Sequence, residues 1–163
     1  MSDRLELRIT TPGDREIVMA REFRAPRDRV FDAYTRPELL RRWFGPHGYS
    51  LVVCDIDFRV DGHWRYVVRG PDGSDMTLQG VYHEIVRPEL LVTTETFDEG
   101  EYIADNASLV TTSFDEHDVG TTVTTTVRYA TAEQRDEMAR SGMAAGVGSG
   151  YERLEELLAS MTD

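Results

Sequence analysis

Between residues 49 and 129 apolar and polar positions alternate with the period of two that marks strands half-covered by a core. The clearest case is HWRYVVR (63–69), where Trp64, Tyr66 and Val68 share one face and His63, Arg65, Val67 and Arg69 the other. Burying two unpaired guanidiniums is prohibitive, so Trp64 and Tyr66 are predicted to point to the core and Arg65 and Arg69 to solvent. YSLVVCDIDF, MTLQGVYHEIV, LLVTTETF, ASLVTTSF and TTVTTTVRY have the same texture. The turn-forming segments GPDGSD, RPEL and DEHDVG and the acidic loop DEGEYIADN separate them. An earlier strand is predicted over DREIVMAREFRA (14–25), with a shorter one at LELRIT and TPGD as the turn between them.

Two short helices interrupt the strands early. In APRDRVFDAYT, Pro26 suits the first helical position, Asp28 favours the positive N-terminus, and Val30, Phe31 and Tyr34 share a face. PELLRRWF starts at Pro37 and is stopped by Gly45 and Pro46. After the strands, Thr131 and Gln134 form a capping-box pattern, from which one long helix is predicted to run to about residue 160. Met143, Val147, Gly150, Tyr151, Leu154, Leu157, Leu158 and Met161 make its apolar stripe. Within it, SGMAAGVGSG (141–150) carries Gly142, Gly146, Gly148 and Gly150, each costing roughly 1 kcal/mol against alanine in a helix. The capped start and clear continuation argue against a linker. A helix thinned there either approaches the sheet closely or leaves a void beneath it. The order of elements is an α+β arrangement with helices on one face of an antiparallel sheet.

Composition narrows the function classes. A chain of 163 residues reads as one domain, with a core over about 14–160. Its formal net charge of −12 repels phosphate backbones and anionic lipid, which disfavours nucleic-acid and membrane-surface binding. No apolar run approaches a membrane span, and MSDRLELRIT has no apolar signal segment, so a cytoplasmic location is the default. Cys54 is the sole cysteine; in LVVCDID, with no basic neighbour close in sequence, it reads as structural rather than nucleophilic.

Four stretches carry a resemblance: REFRAPRDRVFDAYTRPELLRRWFGP, DGHWRYVVRGPDG, GVYHEIVRPELL and SGMAAGVGSGYERLEELL. In collinear order over roughly residues 14–160, they resemble the family related to the C-terminal domain of the heat-shock-protein-90 ATPase activator, within the START-like helix-grip superfamily. The resemblance implies a curved antiparallel sheet of six to seven strands around a long C-terminal helix, with two short helices after the first strand and a pocket beneath the long one. Members include binders of apolar small molecules, cyclase-like enzymes and co-chaperone domains. Where many relatives carry a large aromatic residue, this chain has Val147.

The expected role is therefore the binding of a small, largely apolar molecule between sheet and helix. Candidate lining residues are Trp43, Phe44, Trp64, Tyr66, Tyr82, Met143, Val147 and Tyr151; as core aromatics the first five need no ligand at all. No cofactor or metal is expected: His47, His63, His83 and His117 show neither a helical i, i+4 pair nor a cysteine partner. No nucleophile elbow or phosphate loop occurs, and GVGSG lacks the Lys-Ser/Thr ending. Glu84 and Glu95 lie in strand-like segments. Either one, facing an apolar cavity, would supply an acid–base group, whereas facing solvent it would supply nothing. A cyclase- or hydrolase-like enzyme and a co-chaperone-like interaction module are the alternatives; a protein partner and the oligomeric state stay open.

Overall fold

A computed structural model describes residues 6–97 and 106–161. Strands β1 (Arg8–Thr10) and β2 (Glu16–Phe23) precede helices α1 (Arg27–Thr35) and α2 (Pro37–Trp43). Strands β3 (Ser50–Ile56), β4 (His63–Arg69), β5 (Asp75–Val86), β6 (Leu90–Glu95), β7 (Ser108–His117) and β8 (Gly120–Arg128) follow. Helices α3 (Ala132–Arg140) and α4 (Met143–Ser160) close the order. The strands form one eight-stranded antiparallel sheet in the order β1-β2-β8-β7-β6-β5-β4-β3. The acidic loop DEGEYIADN lies largely outside the described residues.

Alternation sets the inner face. Ile17, Met19 and Phe23 of β2, Val123 and Val127 of β8, Phe114 of β7, and Leu78 and Tyr82 of β5 are all buried. Leu154, Leu157 and Leu158 of α4 complete the core, with Phe23 meeting Tyr151 edge-on at 5.3 Å. Trp64 and Tyr66 are buried on this side and Arg69 is exposed, as alternation requires; Arg65 is half-buried on the other face.

The predicted single C-terminal helix is two. Thr131 Oγ1 accepts from the Gln134 backbone N–H at 3.1 Å and starts α3, but that helix buries no side chain and ends at Ser141. Gly142 then adopts φ +81°, a left-handed conformation that a helix cannot continue through and that glycine tolerates best. The chain re-aims there, and α4 begins at Met143 on the sheet.

Two of the glycines of α4 face a loop. A Cβ on Gly150 would stand 3.4 Å from the Gly45 carbonyl oxygen, and one on Gly146 would stand 3.5 Å from Pro46 Cγ. What comes close to the thinned face is the loop between α2 and β3, rather than the sheet. Arg153, one turn further on, ties that loop down by donating to the carbonyls of Arg42, Gly45, Pro46 and Tyr49 at 2.9–3.2 Å.

Candidate functional site

Four neighbouring strand pairings place a row of residues across the inner face. Trp64 pairs with Gly80, and Glu95 pairs with Ser108. The bridge between Gln79 and Thr96 puts Gly80 opposite Glu95. The Leu109–Arg128 pair puts Ser108 opposite Tyr129. The row therefore runs Trp64, Gly80, Glu95, Ser108, Tyr129: a carboxylate with a small residue on each side and an aromatic ring beyond each small residue. Sequence reasoning picked out Glu95 but missed the row. A glycine inside the strand pattern TLQGVY was the available signal, because such a glycine marks close approach by another group.

Gly80 makes the arrangement sterically feasible. A Cβ there would overlap the Thr94 carbonyl and stand 2.9 Å from Trp64 Nε1. The indole therefore lies over the glycine and reaches toward β6. Trp64 is 5% exposed, yet its Nε1–H has no hydrogen-bond partner among the described residues. Buried donors are nearly always paired, and leaving one unpaired costs about 1–3 kcal/mol. Its ring stacks obliquely on Tyr66 at 4.7 Å, and Phe44 meets Tyr66 edge-on at 5.1 Å.

Glu95 is partly exposed, and desolvation by the protein around it pushes its carboxyl up to about 7. No described side chain pairs with its carboxylate. Tyr129 is pushed up to about 12, first by burial and then by the charge of Glu95. Tyr66 is raised well above the usual phenol range by burial first, then by Tyr82, Cys54 and Glu95. Burial likewise pushes the Cys54 thiol up to about 11, which keeps it protonated and poorly nucleophilic.

The folded value of Glu95 lies above the unfolded one, so the folded chain holds this proton more tightly between about pH 4.5 and 7. The stability that results is fully present below about pH 4.5 and is lost as pH rises through 7. Glu95→Gln is accordingly expected to change little at pH 5 and to stabilise by roughly 1–3 kcal/mol at pH 8. Urea melts at both pH values measure this. An equal difference at the two would mean that the carboxyl titrates normally.

Glu84, the other candidate carboxylate, is exposed. The β5–β6 register slips between Tyr82 and Glu84, which reverses the alternation and turns Ile85 inward in place of Glu84. The histidines are dispersed. His47 Nδ1 lies 2.8 Å from Ser149 Oγ, His63 Nε2 lies 3.1 Å from Gln79 Oε1, and His117 Nε2 lies 3.1 Å from Glu22; these three and His83 are exposed. Among the described residues no three His, Cys, Asp or Glu side chains gather as a metal would need.

The eight predicted lining residues separate into groups. Trp64 shares the row of Glu95 across Gly80, and Tyr66 lies near enough to feel its charge. Met143 and Val147 of α4 are half-buried and pack against the cluster that contains Tyr129, with Val147 bridging to the main core. Phe44 is half-buried behind Tyr66. Tyr82 is buried, meets Phe58 at 5.2 Å and interacts with the Tyr66 hydroxyl. Trp43 and Tyr151 belong to solid packing: Trp43 Nε1 donates to the Ala33 carbonyl at 2.8 Å, and Tyr151 is held between Phe23 and Trp43.

A curved antiparallel sheet gripping a C-terminal helix defines the START-like helix-grip class. The chain belongs to the Activator of Hsp90 ATPase homolog 1-like family, which it matches over residues 24–159. Solved structures agree. A Rhodobacter sphaeroides protein is 28% identical with a TM-score of 0.87, the match covering 96% of this chain and all of that one. A Mycobacterium smegmatis protein is 26% identical at a TM-score of 0.81, covering 96% of this chain and all of its own. A Nitrosomonas europaea protein is 25% identical, also at 0.81, covering 92% of this chain and 97% of its own. No match is found among curated proteins. Among the described residues no helix is long and apolar enough to cross a membrane.

Proposed function

We propose that this protein binds a small, largely apolar molecule between the curved sheet and α4, above the row from Trp64 to Tyr129. The observation that carries the reading is Glu95: an inward carboxylate, flanked by aromatic rings and without a described partner, on a face otherwise built for burial. A core packed for stability alone gains nothing from such a group, and its desolvation is a standing cost. Met143 and Val147 of α4 are half-buried and pack against the cluster that holds Tyr129, and the family supports a binding role. Apolar burial would supply affinity, and the few polar atoms orientation.

Filling the space tests this. Val147→Trp is expected to raise the melting temperature and abolish uptake of a neutral apolar dye, because contacts missing around a void cost roughly 20–30 cal/mol per Å³. In a solid core the same change overpacks and destabilises by roughly 1–3 kcal/mol. A variant that melts lower, together with wild-type protein that takes up no dye, would sink the proposal. Native mass spectrometry of gently purified protein would then weigh a retained ligand directly.

A catalytic role is the second reading, favoured by one observation: a carboxyl held near 7 matches the demand on a general acid or base at neutral pH. Glu95 would be that group, with Tyr66 beside it. Turnover of a bound molecule lost in Glu95→Gln, with binding retained, would decide for it.

A further inference from the structure

We infer that the ligand of this site is an apolar amine, its protonated nitrogen received by Glu95 between the Trp64 and Tyr129 rings. This rests on the binding function proposed above and names the chemistry of the ligand. Three observations converge on a cation.

The described side chains supply Glu95 with no counter-charge. Arg21, the inward arginine of β2, is paired with Glu155 at 3.1 Å. Arg65 and Arg69 of β4 lie on the outer face, where Arg69 pairs with Asp75 at 2.8 Å. Arg128 precedes Tyr129 on the opposite side of β8 and faces Glu16 at 3.8 Å. Among the described residues the titratable groups that feel the charge of Glu95 are Tyr66 and Tyr129, with Tyr82 and Cys54 behind Tyr66, and Met143 and Val147 of α4 pack against the cluster that holds Tyr129. All four titratable neighbours are neutral at physiological pH, their protons held by burial.

The walls also suit a cation. Trp64 and Tyr129 end the row that Glu95 centres, and Tyr66 and Tyr129 lie near enough to feel its charge, a combination of carboxylate and aromatic rings that receives ammonium groups through ring quadrupole and charge together. A formal net charge of −12 adds a field that attracts cationic ligands and repels anionic ones. The unpaired Trp64 Nε1–H then calls for an acceptor atom on the same molecule, such as a hydroxyl or carbonyl oxygen.

Displacement of Nile red by phenethylamine, phenethyl alcohol and phenylpropionate is the test, run with wild type and Glu95→Gln at pH 5.5 and 8. Ionised Glu95 favours the amine, so amine affinity is expected to rise with pH through 7, while the alcohol stays flat. At pH 8 the amine should displace the dye at least about tenfold more readily than the alcohol, and phenylpropionate least well of the three. That preference should vanish in Glu95→Gln, whose folding is checked by its melt. Equal displacement by amine and alcohol at pH 8, or an amine preference that survives in Glu95→Gln, overturns the inference and leaves the binding site standing. If wild type takes up no Nile red, the binding site falls and the inference with it.

Discussion

Gly80→Ala is expected to cost about 3 kcal/mol or more. The added Cβ would overlap the Thr94 carbonyl, which is backbone in the neighbouring strand, and crowd Trp64 Nε1 at 2.9 Å. A side chain can rotate away, but a carbonyl in a strand ladder can do so only if β5 and β6 part. A loss of that size lowers the melting temperature by roughly 6–12 °C in a chain this long. Gly148→Ala is the control, since nothing lies within 4 Å of a Cβ at that helical position. There alanine should gain up to about 1 kcal/mol. Thermal melts of the two variants should move in opposite directions. A Gly80→Ala protein within about 0.5 kcal/mol of wild type would mean that the strands part freely at this point.

The second large effect is expected at the ion pair joining β2 to α4. Arg21 is 7% exposed, lies 4.5 Å over the Phe23 ring, and donates to Glu155 Oε1 at 3.1 Å and to the Glu22 carbonyl at 3.0 Å. Glu155→Ala leaves that guanidinium buried without its counter-charge and is expected to cost roughly 3–5 kcal/mol. Removing both charges, as Arg21→Met with Glu155→Leu, should recover most of the loss, because well-packed apolar replacements of a buried pair are often close to neutral. A double-mutant cycle from denaturant melts reads the coupling. A single-variant loss below about 1 kcal/mol would show that solvent screens the pair.

Much of the frame was legible in the residues because it rests on local periodicity. The alternation in HWRYVVR fixed the inward Trp64 and Tyr66, and the Thr131 cap fixed the start of α3. What stayed hidden depends on pairings between distant segments. Glu84 and Glu95 look equivalent along the chain, and only a register slip beside Tyr82 turns one outward while the other faces in. The row containing Glu95 is a property of several registers at once, which no single strand encodes. The division of the C-terminal helix had a visible cause in Gly142, but four glycines within ten residues do not say which of them takes the left-handed conformation. Nor could they reveal that Gly146 and Gly150 make way for a loop about a hundred positions earlier in the chain.

The glycine-bearing half of α4 also has a kinetic meaning. It starts at a residue with no side-chain cap, carries Gly146 and Gly148, and buries nothing fully before Gly150, whereas the second half is anchored by Leu154, Leu157 and Leu158. Segments with few buried contacts open locally at a fraction of the free energy of global unfolding. Amide hydrogens of residues 143–149 should therefore exchange ahead of those beyond Tyr151. A molecule held against Met143 and Val147 would leave by melting two turns of helix, with the rest of the fold intact. Its residence time would then be set by the weakness of that half-helix as much as by its own contacts.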